Sequence, residues 1–429
     1  MSASRHLLAS LAALMVLSQP ADAAEKQRLE FWTNSLKPKF TQYFETLEKL
    51  YEQQHPNIDV VWVDIPWDAF ETRLMAAIGA GKPPALANLE VPWVYDAVQR
   101  GLLRPLDEAI GTEKDYYLDG AIQDVTFDGK LWAIPFYNNA DIIAYNTALF
   151  KQAGLDPTKP PQTLQDQLDY AKQIRQKTGT PGLAPPLGKM ASIFLQEGLP
   201  VLQNGKAAFN TPRHAALLKR FADAYQAGAL LKDKLFAEDN FQQNIDAYNS
   251  GRLAMMATAP TALSRTRDNA SHIYQQTAVA QVPLGPTGIA PGGWLFTYAV
   301  PKGVDDKTFG EAIKLARFLT RDDNQLAFSK LAGTFPTSKG AVNDPFFKVK
   351  PAQSGAFEQA VQTAAGHAER IRTLYVAGLP DANAMLRKLQ LATEQAVTGR
   401  KRPEIALAEA AAFWDHKLAT QKGPQTGRR

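Results

Sequence analysis

The sequence contains no cysteine in its 429 residues. Disulfides, thiolate metal ligands and cysteine nucleophiles are therefore all excluded. A chain of this length does not need covalent cross-links, because it can bury enough apolar surface in two or more domains of ordinary size.

The sequence also lacks a strong excess of either charge. It carries 47 Lys and Arg against 43 Asp and Glu, a net charge of +4, and no block of basic residues stands out. Nucleic-acid and membrane-surface binding both depend on such a block. We therefore predict that neither a nucleic acid nor a membrane surface is a partner.

No apolar run in the sequence reaches transmembrane length. The run over residues 7–17 follows Arg5 and is long enough only for the core of a signal peptide. Pro20 ends it, and Ala21-Asp22-Ala23 supplies the small residues that a signal peptidase recognises. We predict a signal peptide over residues 1–23, cleaved after Ala23, and a periplasmic mature protein.

The short motifs of common hydrolases and nucleotide-binding enzymes are missing as well. There is no Gly-x-Ser-x-Gly elbow, no His-Glu-x-x-His and no Gly-x-x-x-x-Gly-Lys. The histidines are scattered, and no pair of carboxylates has a distinctive context. We predict that the protein is not an enzyme and needs no metal or cofactor, with a secreted hydrolase as the less favoured alternative.

Strand-like and helix-like patterns alternate along the first part of the chain. The predicted strands cover residues 29–32, 58–63 and 85–89, and the predicted helices cover residues 40–51, 67–78 and 93–101. This alternation indicates βαβ crossovers and a mainly parallel sheet. Ligands bind beyond the carboxyl ends of such strands.

The alternation continues through the rest of the chain. Further strands are predicted at residues 131–135, 142–145, 253–258 and 295–300, and helices at residues 163–178, 212–228, 307–320 and 380–418. Thr211 is the predicted N-cap of the helix over residues 212–228. Residues 421–429 lack apolar side chains, so we predict a disordered tail there.

Several ordered sequence pieces resemble those of a known family. The most specific is Asp-Gly-Lys-Leu-Trp-Ala-Ile-Pro at residues 128–135, whereas Gly-Gly-Trp at residues 292–294 is weak by itself. Others lie at residues 29–32, 79–84, 101–107, 144–146, 149–154, 249–256 and 332–336. Together, over nearly the whole mature chain, they resemble the extracellular solute-binding proteins of ABC importers, in the sugar and glycerophosphodiester-binding branch.

This resemblance implies a type II periplasmic-binding-protein fold. Such a fold has two α/β lobes, each a mainly parallel sheet flanked by helices, and the ligand binds in the cleft between them as a hinge closes. We place the crossings between lobes near Asn138-Asn139, near Pro283 and between residues 325 and 334. The first lobe then covers residues 24–138 and 284–330, and the second covers residues 139–283 and 331–420.

The resemblance also implies a function. We expect a monomeric binding component of an ABC transporter that captures a small carbohydrate and delivers it to the membrane permease with its ATPase. An anionic polyol derivative, such as a glycerophosphodiester or a uronate, and a polyamine remain alternatives. Iron-carrying relatives bind metal through tyrosines, but Tyr116-Tyr117 is predicted to lie in an exposed turn.

Sugar binding needs flat apolar faces for the ring and fixed polar groups for the hydroxyls. Four aromatic candidates lie at predicted strand ends or in loops: Trp67, Trp93, Tyr137 and Trp294. Each of them could instead be a core residue. Trp32, Trp62, Trp132 and Trp414 are predicted to be structural.

The polar candidates also lie at predicted strand ends or at the predicted crossings between lobes. They are Asn34, Ser35, Glu90, Asn138, Asn139, Thr258 and Thr334. A carboxylate such as Glu90 can accept hydrogen bonds from paired hydroxyls, although a negative charge at a helix N-terminus explains the residue equally well. The asparagines lie at the predicted crossing, where hinge bonding and ligand contact are both open.

Arg372 resembles the arginine that the glycerophosphodiester-binding branch places near its ligand phosphate. A guanidinium suits a phosphate or carboxylate, and a surface arginine is the alternative. The sequence also departs from the maltodextrin-binding pattern, because Ala259-Pro260-Thr261 stands where that subgroup has Gly-Pro-Trp. One stacking platform is therefore missing, and we predict a small ligand rather than a long glucan.

Overall fold

The structure is a computed structural model that describes residues 26–237, 240–348 and 354–421. The predicted signal peptide and residues 422–429 of the predicted tail lie outside these ranges. Within them, the chain forms two α/β lobes on two separate main sheets, one six-stranded and one three-stranded. The two-lobed α/β prediction is confirmed.

The first lobe begins with three strands that alternate with helices. In chain order these elements are β1 (Gln27–Asn34), α1 (Thr41–Gln54), β2 (Ile58–Ile65), α2 (Trp67–Gly79), β3 (Leu86–Glu90) and α3 (Val91–Gln99). Strand β1 pairs in parallel with both β2 and β3. Helix α1 covers the sheet with Phe44, Leu47 and Tyr51, whose spacing of three and four residues places them on one buried face.

The chain then runs outward toward the second lobe. The next elements are α4 (Asp107–Ile110), α5 (Asp119–Asp124), the hairpin of β4 (Thr126–Phe127) and β5 (Lys130–Leu131), and β6 (Ile134–Asn138). Tyr117 lies just before α5 and is only 4% exposed, with its hydroxyl 2.6 Å from Thr320 Oγ1. The predicted exposed turn at Tyr116-Tyr117 is therefore wrong for Tyr117, because its ring fills the core beside α5.

The second lobe is built around β7 (Ile142–Asn146). Its other elements are α6 (Thr147–Gln152), α7 (Leu164–Thr178), α8 (Met190–Gln196), β8 (Leu202–Gln203), β9 (Lys206–Ala207), α9 (Pro212–Gln226), α10 (Phe241–Asn249), β10 (Met255–Thr258), α11 (Thr261–Asn269), α12 (Ser271–Tyr274) and β11 (Thr277–Gln281). Along β7, Ile142 and Ala144 join one hydrophobic cluster, whereas Ile143 and Tyr145 join another. Both faces of this sheet are therefore buried.

The chain returns to the first lobe and then leaves it again. The returning elements are β12 (Phe296–Ala299), α13 (Asp306–Leu319), α14 (Asp322–Ala332), β13 (Phe335–Pro336) and α15 (Lys339–Val342). The last three helices are α16 (Ala356–Ala365), α17 (Ala382–Val397) and α18 (Pro403–Gln421). Helix α16 packs on β11 and so belongs with the second sheet.

The prediction of mainly parallel sheets is wrong in both lobes. The six strands lie in the order β13-β6-β12-β3-β1-β2, and β12 is antiparallel to both of its neighbours. Strand β13 is antiparallel to β6, and β7 is antiparallel to both β10 and β11. The reason lies in the connections: β6 carries the chain out and β12 carries it back, so these neighbours run in opposite directions.

The third crossing lies later than residues 325–334, where the sequence placed it. Strand β13 pairs with β6 in the first sheet, and Ser338 forms a bridge with Tyr117. Gly333 ends α14 in the left-handed conformation, with φ of 72°, and this turns the chain back toward β6 rather than out of the lobe.

Two further local predictions need correction. The predicted helix over residues 380–418 is two helices, because Gly399 (φ of 80°) follows α17 and Pro403 starts α18. Thr211 is the N-cap residue of α9, but its side chain makes no capping bond to the backbone. Its Oγ1 lies instead 2.7 Å from Nδ1 of the buried His214.

Candidate functional site

Four aromatic side chains meet where the first sheet ends. Trp67 starts α2, and Trp93 lies in the first turn of α3. Trp294 precedes β12, and Phe296 is the first residue of that strand. The ring centroids of Trp67 and Trp93 are 4.7 Å apart, and those of Trp67 and Trp294 are 6.0 Å apart with the rings nearly perpendicular. Phe296 stacks on Trp294 at 6.3 Å. We call these four residues the aromatic corner.

Part of the aromatic corner is exposed, which is unusual for such large rings. Trp67 is 38% exposed and Trp294 is 41% exposed. Trp93 is less exposed because it is stacked on the buried Phe70 at 5.7 Å. An exposed apolar patch of this kind, next to polar groups, marks a site of interaction.

Local backbone contacts fix the corner. The backbone N–H of Trp67 donates to Oγ of Ser35 at 2.9 Å, which ties the end of β1 to the start of α2. Before Trp294, the chain passes so close to Asp141 and to the backbone of Arg372 that a side chain at Gly292 or Gly293 would collide with them. The two glycines therefore allow Trp294 to reach its position.

Glu90 lies beside the exposed tryptophan. It is the last residue of β3, and its carboxylate accepts a hydrogen bond from Nε1 of Trp294. Its side chain makes no capping bond to α3, although it occupies the N-cap position. Burial raises the pKa of Glu90, and the Trp294 indole and Lys189 oppose this rise.

Two charged residues near the corner are not predicted from the sequence. Lys189 belongs to the second lobe, in the 3₁₀ turn Leu187–Lys189, and its Nζ lies 5.4 Å from the ring centroid of Trp294. Asp141 lies between β6 and β7, where burial raises its pKa to about 6 and Lys189 partly opposes the rise. Lys189 follows a Gly/Pro-rich break and has no sequence signal of its own, whereas Asp141 is close to Asn138-Asn139 at the predicted crossing.

Asn138 makes hydrogen bonds at the crossing between lobes. Its Oδ1 accepts from the backbone N–H of Trp294 and from that of Asn139, both at 2.9 Å. It therefore fixes the returning chain to the outgoing chain. The side chain of Asn139 is only partly buried beside it.

Two other predicted contact residues lie inside the first lobe. Tyr137 is 7% exposed, and its ring stacks on Phe296 at 4.8 Å and packs against Phe328. Asn34 is 4% exposed, and its Nδ2 donates to the carbonyl of Asn88 at 3.2 Å. Tyr137 supports the aromatic corner from behind, and Asn34 links β1 to β3. Neither presents a free face to the cleft.

The two predicted threonines are buried. Thr258 ends β10 and is 3% exposed, and Thr334 follows α14 and is 7% exposed. Within the part of the chain that the structure describes, neither hydroxyl has a hydrogen-bond partner. They are unpaired polar groups, and Thr258 is paired across the second sheet with Ile142, the residue after Asp141.

Arg372 is placed with its backbone, not its guanidinium, at the corner. Its Nη1 donates to the carbonyls of Glu369 and Ile371 at 3.0 and 2.8 Å, and its Nη2 lies 3.4 Å from Oε1 of Gln123. Its donors are therefore largely used within the protein. The next residues join the lobes, since the Thr373 N–H donates to Asp124 and the Ser192 hydroxyl to the Leu374 carbonyl.

The described residues show neither a membrane span nor a metal cluster. Among them, no helix is both long and apolar enough to cross a bilayer. The same residues contain no group of three or more His, Asp or Glu side chains placed to hold a metal ion.

The chain belongs to the bacterial extracellular solute-binding proteins, whose family model matches residues 46–355. This confirms the family that the sequence pieces predicted. The relatives include the mannitol-binding protein of Pseudomonas aeruginosa, 26% identical over 275 residues that cover 59% of this chain and 60% of the relative. They also include the sn-glycerol-3-phosphate-binding periplasmic protein UgpB of Escherichia coli K12, 24% identical over 82% of this chain and 85% of the relative.

Solved structures show the same fold. A candidate oligosaccharide periplasmic-binding protein from Synechococcus sp. MITs9220 superposes with a TM-score of 0.81 at 28% identity, over 92% of this chain and 99% of the other. The fold is therefore that of the type II periplasmic binding proteins. The two relatives are named for the solutes that they bind.

Proposed function

We propose that this protein is the substrate-binding component of an ABC importer and captures a small neutral carbohydrate or polyol. The observation that carries the proposal is the aromatic corner, where Trp67 and Trp294 are exposed beside the carboxylate of Glu90. Flat rings bind the C–H face of a sugar, and a carboxylate accepts hydrogen bonds from its hydroxyls.

Two observations favour a neutral ligand over an anionic one. The guanidinium of Arg372 is already bound to the carbonyls of Glu369 and Ile371. Glu90 places a carboxylate at the exposed rings, and like charges repel most strongly where water is partly excluded. The mannitol-binding relative is consistent with a neutral polyol.

An anionic polyol derivative is the second candidate. Lys189 supplies a cation over the Trp294 ring, and one relative is named for binding sn-glycerol 3-phosphate. A lysine ammonium is a common point contact for phosphate. The same site could therefore bind an anion if Lys189 and Arg372 both turned toward it.

The remaining parts of the proposal rest on the family. As in other solute-binding proteins of ABC importers, the lobes would close on the ligand, and the closed form would dock on the membrane permease. We propose a periplasmic monomer released from a signal peptide over residues 1–23. Trp67, Trp93, Glu90 and Trp294 are the proposed ligand contacts, with Ser35 and Asn138 holding them in place.

A thermal-shift screen of the mature protein tests the ligand class, because a ligand that binds only the folded state raises the melting temperature. The panel contains monosaccharides, disaccharides, mannitol, spermidine, sn-glycerol 3-phosphate and glycerophosphocholine. We expect a neutral member to raise the melting temperature. A rise with the phosphates alone would establish the second candidate, and no rise with any member would contradict the sugar proposal.

Glu90→Gln is the sharpest single change. We expect it to weaken binding of the neutral ligand by about tenfold, because a neutral amide is a poorer acceptor than a carboxylate and can present a donor instead. Calorimetric titration measures the affinity, and Glu108→Gln, an exposed position on α4, is the matched control. An affinity within about twofold of the wild type would show that Glu90 does not contact the ligand.

A further inference from the structure

A cavity with a volume of about 460 Å³ lies in the second lobe. The start of α7, the end of α8, helix α9 and the segment that follows β11 form its walls, and none of its lining residues belongs to the aromatic corner. The polar residues that line it include Gln162, Thr163, Glu197, Arg220 and Gln281. Cavities of this volume bind small molecules.

The cavity contains two opposite charges that do not pair with each other. Arg220 and Glu197 both line it, and among the described residues Arg220 acts on Glu197 through charge attraction without a hydrogen bond. Nε of Arg220 is buried and has no hydrogen-bond partner among the described residues. Burial raises the pKa of Glu197, and only the attraction of Arg220 opposes the rise.

The neighbouring charges and amides are already occupied. Asp166 accepts from the backbone N–H groups of Gln162 and Thr163 in the capping box of α7. Asp169 accepts from the side chains of Gln165 and Lys172. Asp169 lies near enough to Arg220 for the guanidinium to help lower its pKa, after its hydrogen bonds from Lys172 and Gln165. Arg220 and Glu197 are the charged residues that line the cavity itself.

The walls of the cavity are fixed before any ligand binds. Nε2 of Gln196 donates to the carbonyls of Leu284 and Ile289 at 2.9 and 2.8 Å, which holds the segment after β11 against the end of α8. Gly285 has φ of 63°, and a Cβ there would lie 2.9 Å from the Gln196 carbonyl oxygen. A preformed wall lowers the entropic cost of binding.

We propose that this cavity is a second ligand site, for a small zwitterion of amino-acid or dipeptide size. The ligand carboxylate binds the guanidinium of Arg220, and its ammonium group binds the carboxylate of Glu197. A guanidinium matches a carboxylate in charge and shape. Arg220 and Glu197 are both partly buried. A charge that is partly removed from water gains from a partner of opposite sign, so a ligand that supplies one partner to each is favoured over a neutral sugar.

Calorimetric titration of the mature protein tests this site. The probes are the protein amino acids and glycylglycine, together with N-acetylglycylglycine and glycylglycine amide, each of which lacks one of the two charges. We expect saturable binding of a zwitterionic probe in both the wild type and Trp294→Ala, and an affinity at least about tenfold lower when either charge is missing. No saturation by any zwitterion up to about 10 mM would overturn the proposal.

Variants at the cavity identify where the probe binds. Arg220→Met and Glu197→Gln should each lower the zwitterion affinity by about tenfold or more and leave the affinity for the cleft ligand unchanged. Arg213→Met, at the exposed start of α9, is the matched control and should change neither. Thermal melting shows that each variant is folded, and Glu197→Gln keeps the side-chain volume if Arg220→Met does not fold. Zwitterion binding that survives both variants, or that is lost in Trp294→Ala, would place the probe elsewhere and overturn the proposal.

Discussion

The two walls of the cleft differ in what they offer a ligand. The first lobe presents the four rings of the aromatic corner and the carboxylate of Glu90, whose positions a six-stranded sheet fixes. The second lobe brings Lys189, a single long side chain at the end of a 3₁₀ turn. We infer that the first lobe supplies most of the binding energy and that the second supplies an adjustable polar contact.

The difference follows from how each wall is built. Glu90 and Phe296 are directly paired across β3 and β12, so the carboxylate and a ring of the corner belong to one rigid element. A lysine side chain has four carbons of flexible stem and loses conformational entropy when it is fixed. The first wall is therefore rigid, whereas the side chain of Lys189 can adjust its position over the Trp294 ring.

The largest expected effect is that of Trp294→Ala on ligand affinity. We expect the affinity for the cognate sugar to fall between about tenfold and a hundredfold, roughly 2 kcal/mol. The change removes an exposed stacking face and leaves Glu90 without its indole donor. Calorimetric titration measures the ligand affinity of the variant and of the wild type.

Two further variants separate the causes of that loss. Trp294→Phe keeps a ring without the N–H, so it should recover the stacking part of the affinity only. Phe346→Ala, at a ring that is 38% exposed and outside the corner, should have no effect. If Trp294→Ala changes the affinity less than about twofold, the aromatic corner does not bind the ligand. The inference that the first lobe supplies most of the binding energy is then wrong.

The next effect concerns stability at the junction between the walls. Burial raises the pKa of Asp141 to about 6, above the value of about 3.9 in an unfolded chain. The folded state therefore binds more protons than the unfolded state between these values, so ionised Asp141 lowers stability above pH 6. A shift of about two pKa units corresponds to nearly 3 kcal/mol. We therefore expect Asp141→Asn to be more stable than the wild type by up to about 3 kcal/mol at pH 7.5 and nearly equally stable near pH 4.

Urea unfolding at a series of pH values measures that difference. Other groups that titrate in the range, such as Asp124 with its pKa raised by burial to about 6, are present in both proteins and cancel. Asp115→Asn, at an exposed position, is the control and should show no such trend. A difference in the free energy of unfolding that does not change with pH would mean that burial does not raise the pKa of Asp141.

Local sequence patterns predict much of the first lobe. Apolar spacing predicts the helices and strands up to β3 within a few residues, because it reflects one buried face. Strand direction was not predictable in the same way, because it depends on which returning segment pairs with which strand. A sequence pattern shows that β12 is a strand, but not that it lies between β6 and β3.

Local sequence patterns likewise predict some residues of the site and not others. Trp67, Trp93, Glu90 and Trp294 come together because each lies at a strand end or a helix start, which the sequence shows. Tyr137 has the same sequence context, yet its ring supports Phe296 from behind because side chains alternate along β6. Lys189 reaches the corner from the other lobe, and no local pattern predicts a contact between lobes.

The smallest expected effect is that of Lys189→Met, which removes the cation of the second wall and keeps much of its length. We expect the affinity for a neutral sugar to fall about threefold, because an exposed cation–π contact is worth roughly 0.5–1 kcal/mol. The ammonium also opposes the raised pKa values of Glu90 and Asp141, so its loss should raise both further. The pH midpoint of ligand binding should therefore move upward.

Calorimetric titration between pH 5 and pH 8 measures both quantities for this variant. Lys206→Met, in the exposed hairpin of β8 and β9, is the matched control. A loss as large as that of Trp294→Ala would show that the two walls contribute equally, and the inferred division of binding energy would then be wrong. A smaller loss together with the shifted midpoint would assign Lys189 an electrostatic role, since a purely steric contact would leave the pH midpoint unchanged.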